Sequence, residues 1–208
     1  MKHIILLFIS LLPLTLVAQL DREIEDDWTL VENEDNIRIF TRLSDSTNLK
    51  ELRIFVEMKG NVDTLIHIIN DAENFGDWVY KCSKSAPIAI PDGYQSAYIA
   101  TTDFPFPLCD REIVAKSKQW VDEEGRFITH GICAFDSIPI NQDIVRISHY
   151  ESRWQIEELK NHKIFIDYQS SVDPGGRIPN WITNLAITTG PLKTFAKLSE
   201  LVEKRSNF

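Results

Sequence analysis

The middle of the chain alternates apolar and polar residues in a way that predicts β-strands. The clearest case is the segment Lys50–Met58. One of its faces carries Leu52, Ile54, Val56 and Met58, and the other carries Glu51, Arg53, Phe55 and Glu57. A period of two with one apolar face is typical of a half-buried antiparallel strand. Similar patterns precede it at Thr29–Glu32 and Ile37–Arg42, and strand patterns dominate residues 82–172.

The periodicity becomes helical between the first strands and the long strand region. The apolar positions are Val62, Leu65, Ile66 and Ile69, and they follow Asn61, a residue type that often caps helix N-termini. The segment ends in the polar, glycine-containing run Asn74-Phe75-Gly76-Asp77-Trp78. We therefore expect a short helix inserted into an antiparallel sheet.

A second helical pattern closes the chain after the turn Asp173-Pro174-Gly175-Gly176, which we interpret as a connector rather than a phosphate-binding loop. Pro179 opens the pattern, and Gly190-Pro191 interrupts it. Its apolar stripe consists of Trp181, Ile182, Leu185, Ala186, Leu192, Phe195, Leu198, Leu201 and Val202. A proline within a helix removes a backbone hydrogen bond and bends the axis. The pattern predicts a long amphipathic C-terminal helix with a kink near Pro191.

The strand predicted at Arg111–Val121 has one face that is small and weakly polar. That face consists of Arg111, Ile113, Ala115, Ser117, Gln119 and Val121. Such a face suits the lining of a cavity better than a close-packed core, although a single strand leaves ordinary packing as the alternative.

The N-terminus has the pattern of a secretory signal peptide. Lys2 precedes an apolar run from Ile4 to Val17, and the small residue Ala18 follows it. The run contains Pro13 and is shorter than the roughly 20 apolar residues that span a bilayer, so a permanent anchor is the weaker interpretation. We expect a signal peptide at 1–18, a flexible acidic lead-in at 19–27 and one domain at 28–208, exported to the periplasm or the extracellular space.

Charge and cysteine content narrow the function further. The formal net charge is −9, and no run rich in lysine or arginine occurs, which argues against nucleic acid as a partner. The three cysteines are Cys82, Cys109 and Cys133. An odd number in an exported chain allows one disulfide plus a free thiol, or three buried thiols, and the sequence does not separate these alternatives.

The sequence offers no pattern of catalytic or metal-binding residues. His67, His130 and His149 lie in different predicted elements, without the spacing of a zinc site. Cys109 and Cys133 have His130 near them in sequence, but no nucleophile elbow or third orienting group accompanies them. We expect no metal, no cofactor and no enzymatic activity.

Several local motifs occur in an order that resembles a known family. The most specific are Phe106-Pro107 followed by Asp110-Arg111-Glu112, and Asp173-Pro174-Gly175-Gly176 followed by Ile178-Pro179. Supporting positions are Trp28, Ile37–Arg42, Trp78 and Arg146. Over residues 28–204 the chain resembles the START family (steroidogenic acute regulatory-related lipid transfer). The resemblance implies an α+β helix-grip fold of the START/Bet v 1-like type, in which a curved antiparallel sheet wraps around a long C-terminal helix and encloses a hydrophobic cavity.

The resemblance also implies a function, which is non-catalytic binding, with or without transfer, of a lipid or sterol-like small molecule. We expect transient contact with membranes, and a monomer is favoured although the sequence leaves the oligomeric state open. Our hypothesis for exchange is that the C-terminal helix or the Phe104–Leu108 loop moves aside. The positions that hold an acid and an arginine in some sterol-binding members are Thr101 or Thr102 and Ser117 here, which argues against a sterol-type salt bridge. The alternatives are a cyclase- or hydrolase-like enzyme on the same fold, and a protein-interaction module whose core is filled by its own side chains.

Candidate cavity residues follow from the predicted faces and from the resemblance. They are Trp78, Tyr98, Thr101, Arg111, Ser117, Tyr150, Trp154, Tyr168, Ile182, Leu185 and Phe195. Tyr98, Thr101 and Ser117 are expected to orient a ligand, because an unpaired buried hydroxyl is costly and a ligand oxygen would satisfy it. For Arg111, local pairing with Asp110 and Glu112 that fixes the Phe104–Pro107 loop is favoured over a headgroup anchor.

Overall fold

The computed structural model describes residues 24–25, 27–45, 49–134, 136, 138–176, 178–179, 182–183 and 185–206. The expected signal peptide at 1–18 lies outside these ranges. Within the expected lead-in, Ile24, Glu25 and Asp27 are described, and the Asp27 carboxylate lies 2.9 Å from Nη1 of Arg42. Among the helices in the described ranges, none is both long enough and apolar enough to cross a membrane.

Ten strands of the described residues form one sheet. They are β1 (Thr29–Glu34), β2 (Ile37–Leu43), β3 (Lys50–Lys59), β4 (Cys82–Pro87), β5 (Ser96–Thr102), β6 (Arg111–Val121), β7 (Phe127–Cys133), β8 (Val145–Arg146), β9 (His149–Leu159) and β10 (Lys163–Asp173). The order across the sheet is β1-β2-β3-β10-β9-β7-β6-β5-β4, with antiparallel pairing throughout. The short β8 pairs with β6 in parallel. This large curved sheet confirms the predicted α+β architecture.

The inserted helix is present as predicted. Helix α1 (Val62–Asn70) begins after Asn61, whose side-chain oxygen accepts a 2.7 Å hydrogen bond from the backbone N–H of Thr64. A 3₁₀-helix at Ala72–Asp77 follows and leads to Trp78. The helical insertion thus delivers an aromatic side chain to the concave side of the sheet before the chain returns to β4.

The C-terminal helix has two parts. A π-helical turn at Leu185–Thr189 runs directly into helix α2 (Gly190–Arg205). Pro191 is the second residue of α2 and directly follows the π-helical turn, and it has no backbone N–H to donate to a carbonyl group of that turn. The interruption predicted at Gly190-Pro191 therefore coincides with a change from π to α winding.

The main core lies between the concave face of the sheet and the two α-helices. Phe195, Leu198 and Val202 of α2 pack in it with residues of β3 and β10. The C-terminal end of α2 packs tightly against the end of β3, because a Cβ added to Gly60 would stand 2.3 Å from Cγ1 of Val202. The backbone N–H of Asn61 also donates to Oγ of Ser206 over 3.1 Å. This end of the helix is therefore fixed against the junction between β3 and α1.

The convex face of the sheet carries an aromatic cluster. Its presence shows that the prediction of a half-buried β3 is wrong. Phe55, assigned to the polar face, is 2% exposed and packs with Trp28, Phe40 and Phe165. Arg53 beside it makes two hydrogen bonds to the Asp167 carboxylate, at 3.0 and 2.8 Å. Both faces of β3 are covered, since Trp28 closes over the outer side.

Candidate functional site

A cavity of about 770 Å³ lies between the concave face of the sheet, the 3₁₀-helix and the start of the C-terminal helix. Its volume falls within the range of roughly 300–1,000 Å³ that is usual for small-molecule sites. Apolar side chains dominate its walls, among them Ile54, Phe75, Ile113 and Ile187. The helix-grip arrangement thus leaves a large apolar space within the molecule.

Most of the residues selected from the sequence line this cavity. They are Trp78, Tyr98, Arg111, Ser117, Tyr150, Trp154, Tyr168, Ile182 and Phe195. The side chain of Leu185 lies outside the described part of the structure. The sequence analysis missed Phe75, which lies in the 3₁₀-helix, and Phe104, which lies in the loop before β6. Phe75 is part of the polar exit run after α1, so its own periodicity gave no signal.

Thr101 is a correction to the predicted set. Tyr98, Ala100 and Thr102 of β5 line the cavity, whereas Thr101 does not. Side chains along a strand alternate between faces, so two residues three positions apart point in opposite directions. Tyr98 and Thr101 therefore cannot both face the ligand space. Thr101 is buried on the other side of the sheet, opposite Glu112 of β6.

An aromatic cluster forms one wall of the cavity. The Trp154 ring centroid lies 4.8 Å from that of Tyr168, 5.4 Å from that of Phe195 and 6.5 Å from that of Trp78. These residues come from β9, β10, α2 and the end of the helical insertion, so the cluster joins all the layers around the cavity. The Trp78 Nε1 group is buried, and among the described residues it has no hydrogen-bond partner.

Hydroxyl groups supply the polar chemistry inside the cavity. Tyr150 donates to Oγ of Ser152 over 2.8 Å, and its oxygen lies 3.4 Å from that of Tyr98. Ser96 and Ser117 share a 2.6 Å hydrogen bond. Ser152 fits against β7 because its neighbour is Gly131, where an added Cβ would lie 2.8 Å from the serine oxygen.

The tyrosine hydroxyls remain protonated at physiological pH. Burial raises the pKa of Tyr98 to about 12, and it raises the pKa values of Tyr150 and Tyr168 well above the usual value for tyrosine. Desolvation is the largest cause in each case, because a phenolate in an apolar wall loses its hydration. The cavity therefore presents neutral hydrogen-bonding groups.

Arg111 is 5% exposed and lies at the edge of the cavity, where the backbone satisfies it. Its guanidinium donates to the carbonyl oxygens of Pro174 at 3.0 Å, Gly175 at 3.1 Å and Cys109. It also lies 4.4 Å from the ring centroid of Phe104. Arg111 thus ties the loop before β6 to the turn after β10, which is a structural role.

The pairing predicted for Arg111 is wrong in its partners. Asp110 accepts a 2.9 Å hydrogen bond from the backbone N–H of Phe104, and Glu112 points to the opposite face of β6. There the Glu112 carboxylate accepts a 2.8 Å hydrogen bond from Nε of Arg146. The loop is held as expected, but by carbonyl groups and a ring stack rather than by local ion pairs.

The cavity reaches solvent at one end of the sheet. Leu43 at the end of β2, which is 59% exposed, and the exposed Lys81 just before β4 both line it. The β5–β6 loop lies at the same end and contributes Asp103, Phe104 and Pro105 to the lining. We call this end the mouth of the cavity.

The three cysteines match neither arrangement expected from the sequence. All are free thiols; Cys82 and Cys133 are half-buried, and Cys109 is exposed in the loop before β6. Cys82 lines the cavity, and burial raises the pKa of its thiol. Within the described residues, no group of three or more histidine, cysteine, aspartate or glutamate side chains is placed to hold a metal ion.

Comparisons with known proteins found several that are similar to this chain. No family model matches the chain. The phosphatidylcholine transfer protein of Rattus norvegicus is 26% identical over 190 residues, covering 86% of this chain and 87% of the relative. The human phosphatidylcholine transfer protein is 27% identical over 176 residues, with coverage of 79% and 78%. An uncharacterized protein of Pseudomonas aeruginosa is 23% identical over 180 residues, with coverage of 86% and 89%.

Solved structures of lipid transfer proteins also superpose on this chain. A STAR-related lipid transfer protein from Xanthomonas axonopodis superposes with a TM-score of 0.76 at 22% identity, covering 85% of this chain and 99% of the other. The human StAR-related lipid transfer protein 5 superposes with a TM-score of 0.74 at 15% identity, with coverage of 89% and 90%. The chain therefore has the helix-grip fold of the START-related lipid transfer proteins, as the sequence motifs indicated.

Proposed function

We propose that this protein binds a lipid or a similar apolar molecule in its cavity without changing it chemically, and carries it between membranes. The observation that carries the proposal is the cavity of about 770 Å³ with apolar walls and a neutral interior. The names of its relatives, which are lipid transfer proteins, support the same function. The N-terminal pattern at 1–18 supports export, so we further propose that the cargo is handled outside the cytoplasm.

The hydrophobic effect supplies the driving force for binding. Removing about 400 Å² of apolar ligand surface from water at roughly 25 cal/mol/Å² contributes on the order of 10 kcal/mol before the costs of association. The aromatic wall around Trp154 provides the apolar surface that receives the ligand. No covalent chemistry is needed for useful affinity.

The hydroxyl groups favour a ligand whose enclosed part carries an uncharged polar group. Tyr98 and Tyr150 keep their hydroxyl protons and can donate hydrogen bonds. An ether, ester or hydroxyl oxygen would accept from these groups, whereas a charged group placed there would lose its hydration without gaining a counter-ion.

The same groups disfavour the enzyme alternative. A general base near neutral pH requires a group that accepts a proton readily, and the buried tyrosines hold their protons. Arg111, the one charged residue that is buried among the cavity-lining residues, is bound by three carbonyl groups. The described walls thus favour holding a ligand over transforming it.

Native mass spectrometry with lipid extraction, on protein purified from its own host, tests the proposal. We expect an apolar ligand at close to one copy per chain. The matched variants are Tyr98→Phe, inside the cavity, and Tyr94→Phe, outside it; only the first should weaken retention of a ligand that accepts a hydrogen bond, by roughly 5-fold.

Two results would contradict the proposal. An apo mass that persists after incubation with mixed lipids would favour a protein-interaction module with a self-filled core. Release of a chemically altered lipid, abolished by a single polar change in the cavity, would favour the enzyme.

A further inference from the structure

A row of basic side chains crosses the convex face of the sheet. Lys118 of β6 lies directly opposite His130 of β7, and His130 lies directly opposite Arg153 of β9. The residue that precedes each of them in the chain lines the cavity, so the alternation along a strand places all three on the outer face. Side chains paired in this way have Cβ atoms about 5 Å apart. The row therefore gathers basic groups within a span of roughly 10 Å.

The lysine and arginine charges of this face have no carboxylate beside them. Lys118 and Arg153 are exposed, and Lys116, two positions before Lys118, is half-buried. Among the described residues, no carboxylate oxygen lies within 4.0 Å of any of these three cations. The Nζ atoms of Lys116 and Lys118 lie 4.3 and 5.5 Å from the ring centroid of Tyr94. The face is thus a local region of positive charge on a chain whose formal net charge is −9.

An exposed tryptophan continues the same face of β6. Trp120 follows Lys118 by two positions and is 42% exposed, whereas Ile128, which lies opposite it on β7, is fully buried. Tryptophan and arginine are enriched among the residues that contribute most to protein interfaces. We use the name convex patch for Lys116, Lys118, Trp120, His130 and Arg153.

We propose that the convex patch docks an acidic segment of a partner protein. Charge complementarity carries the proposal, because carboxylates of such a segment would pair with Lys118 and Arg153 while an apolar residue beside them packs on Trp120. Arg111 lies near the mouth, and Lys118 lies roughly 20 Å further along β6. Docking there leaves the mouth free, so the proposal goes beyond lipid binding and does not depend on it.

One carboxylate within the patch favours a protein over a lipid surface as the partner. The Glu151 carboxylate is 57% exposed and lies 2.8 Å from Nε2 of His130. A negatively charged bilayer would repel this carboxylate, whereas a protein segment can place a hydrogen-bond donor or a cation beside it. The sheet is also curved, so a flat bilayer would touch only part of its convex face. The mixed pattern of charges therefore fits a protein segment.

Fluorescence anisotropy with a labelled oligoglutamate peptide tests the proposal on the whole protein. The net charge of the chain repels this probe, so binding requires a local basic surface. We expect binding at low ionic strength that is lost as salt is added. The Lys118→Glu, Arg153→Glu double variant should bind the peptide at least ~10-fold more weakly than the parent protein.

A matched double variant controls for the change in net charge. Lys193 and Lys204 are exposed lysines of α2, and among the described residues neither has a carboxylate oxygen within 4.0 Å. The Lys193→Glu, Lys204→Glu variant changes the net charge equally and should bind within about 2-fold of the parent protein.

The tryptophan has its own control on the same strand. Trp120→Ala should weaken peptide binding by about 5-fold if the probe carries a leucine among its glutamates. Val121→Ala truncates a residue that is 64% exposed on the other face of β6, and it should change binding by less than about 2-fold.

Absence of peptide binding at low ionic strength would overturn the proposal. Equal weakening by the two double variants would also overturn it, because binding would then follow net charge rather than the convex patch. Patch-dependent binding to phosphatidylglycerol vesicles without binding to the peptide would replace the protein partner with a lipid surface.

Native mass spectrometry on the same variants keeps this proposal apart from lipid binding. The Lys118→Glu, Arg153→Glu variant should retain the cavity ligand of the parent protein while it loses the peptide. Loss of both would overturn the assignment, because the substitutions would then have disturbed the fold rather than a docking surface.

Discussion

Arg111 illustrates how the environment of a single residue decides its role. Its guanidinium charge is buried, yet its hydrogen bonds go to three backbone carbonyls from two segments that are far apart in sequence. Removing the side chain would leave those carbonyls without donors and the Phe104 ring without its stacking partner. Arg111 therefore acts on the position of the loop at the mouth rather than on a ligand directly.

We expect Arg111→Met to destabilise the protein by about 3 kcal/mol, since buried groups would lose charge-assisted hydrogen bonds. Urea denaturation followed by circular dichroism measures the change. Arg153→Met is the matched control, because Arg153 is exposed on β9, and its free energy of unfolding should change by less than about 0.5 kcal/mol. A cost for Arg111→Met no larger than that of the control would show that the carbonyl contacts contribute little.

Cys82 offers a chemical probe of the cavity. Its thiol lines the cavity and its pKa is raised by burial, whereas Cys109 is exposed. Alkylation by N-ethylmaleimide should be slow at Cys82, because the reacting thiolate is scarce and shielded, and slower still when lipid is bound. Peptide mass spectrometry over time measures both rates. Equal effects of lipid at Cys82 and Cys109 would place the ligand elsewhere.

At the scale of elements, periodicity predicted β6 and α1 well. The bounds of β6 match the alternating segment, and Arg111, Ile113 and Ser117 share the cavity face as the alternation required. In each of these elements, every face lies in a single environment. The period of two residues in the strand or 3.6 in the helix therefore predicts which side chains share a face.

The features that the sequence did not predict correctly also have physical causes. Phe55 is an apolar residue on the otherwise polar face of β3. The local pattern did not predict its burial, because Trp28, which packs against it, comes from a distant part of the chain. The selection of Thr101 together with Tyr98 overlooked the alternation of the strand. Two of the three partners of Arg111 are backbone carbonyls of a turn some 60 residues away, and residue identity gives no sign of them. The cavity volume depends on packing between elements, which no single segment encodes.

The two ends of the C-terminal helix differ in how they are held. The last turn of α2 packs against Gly60 and binds Asn61, whereas the π-helical turn borders the cavity through Ala186 and Ile187. Local opening requires less free energy where fewer contacts must break. We therefore expect the start of the helix to be the part that opens most readily for a ligand to pass the mouth.

Hydrogen exchange tests this difference. Amides in residues 185–192 should exchange at least 10-fold faster than those in residues 195–204 in delipidated protein, and bound lipid should slow the first group. Exchange measured by mass spectrometry on overlapping peptides gives both rates. Uniform protection along the helix, unchanged by lipid, would exclude this segment as the moving part.

For the whole molecule, the raised pKa values of the cavity tyrosines lead us to expect that the free energy of unfolding decreases at alkaline pH. The pKa of Tyr98 is about 12 in the folded protein, compared with about 10 in an unfolded chain. Above pH 10 the unfolded state therefore releases a proton that the folded state retains, and the free energy of unfolding falls as the pH rises from 10 to 12. Tyr98 alone contributes a loss on the order of 1–2 kcal/mol over this interval.

Urea denaturation at pH 8, 10 and 11 measures this loss. The Tyr98→Phe variant should lose less stability between pH 10 and pH 11 than the parent protein, while Tyr94→Phe reports the effect of removing a hydroxyl outside the cavity. Parallel stability curves for the parent protein and Tyr98→Phe would mean that Tyr98 ionises with the same pKa in both states.

Trp78 and Trp154 pack edge to face, with ring centroids 6.5 Å apart, and their spectroscopic signal can report ligand binding without an added label. Both indoles border the space that a ligand fills, whereas Trp28 lies on the convex face and Trp120 is exposed at the far end of β6. The fifth tryptophan, Trp181, lies outside the described residues. In a Trp181→Phe variant, a difference spectrum between empty and loaded protein would therefore isolate the tryptophan signal of the inner pair. Near-ultraviolet circular dichroism can follow loading and release in real time, with no dye attached.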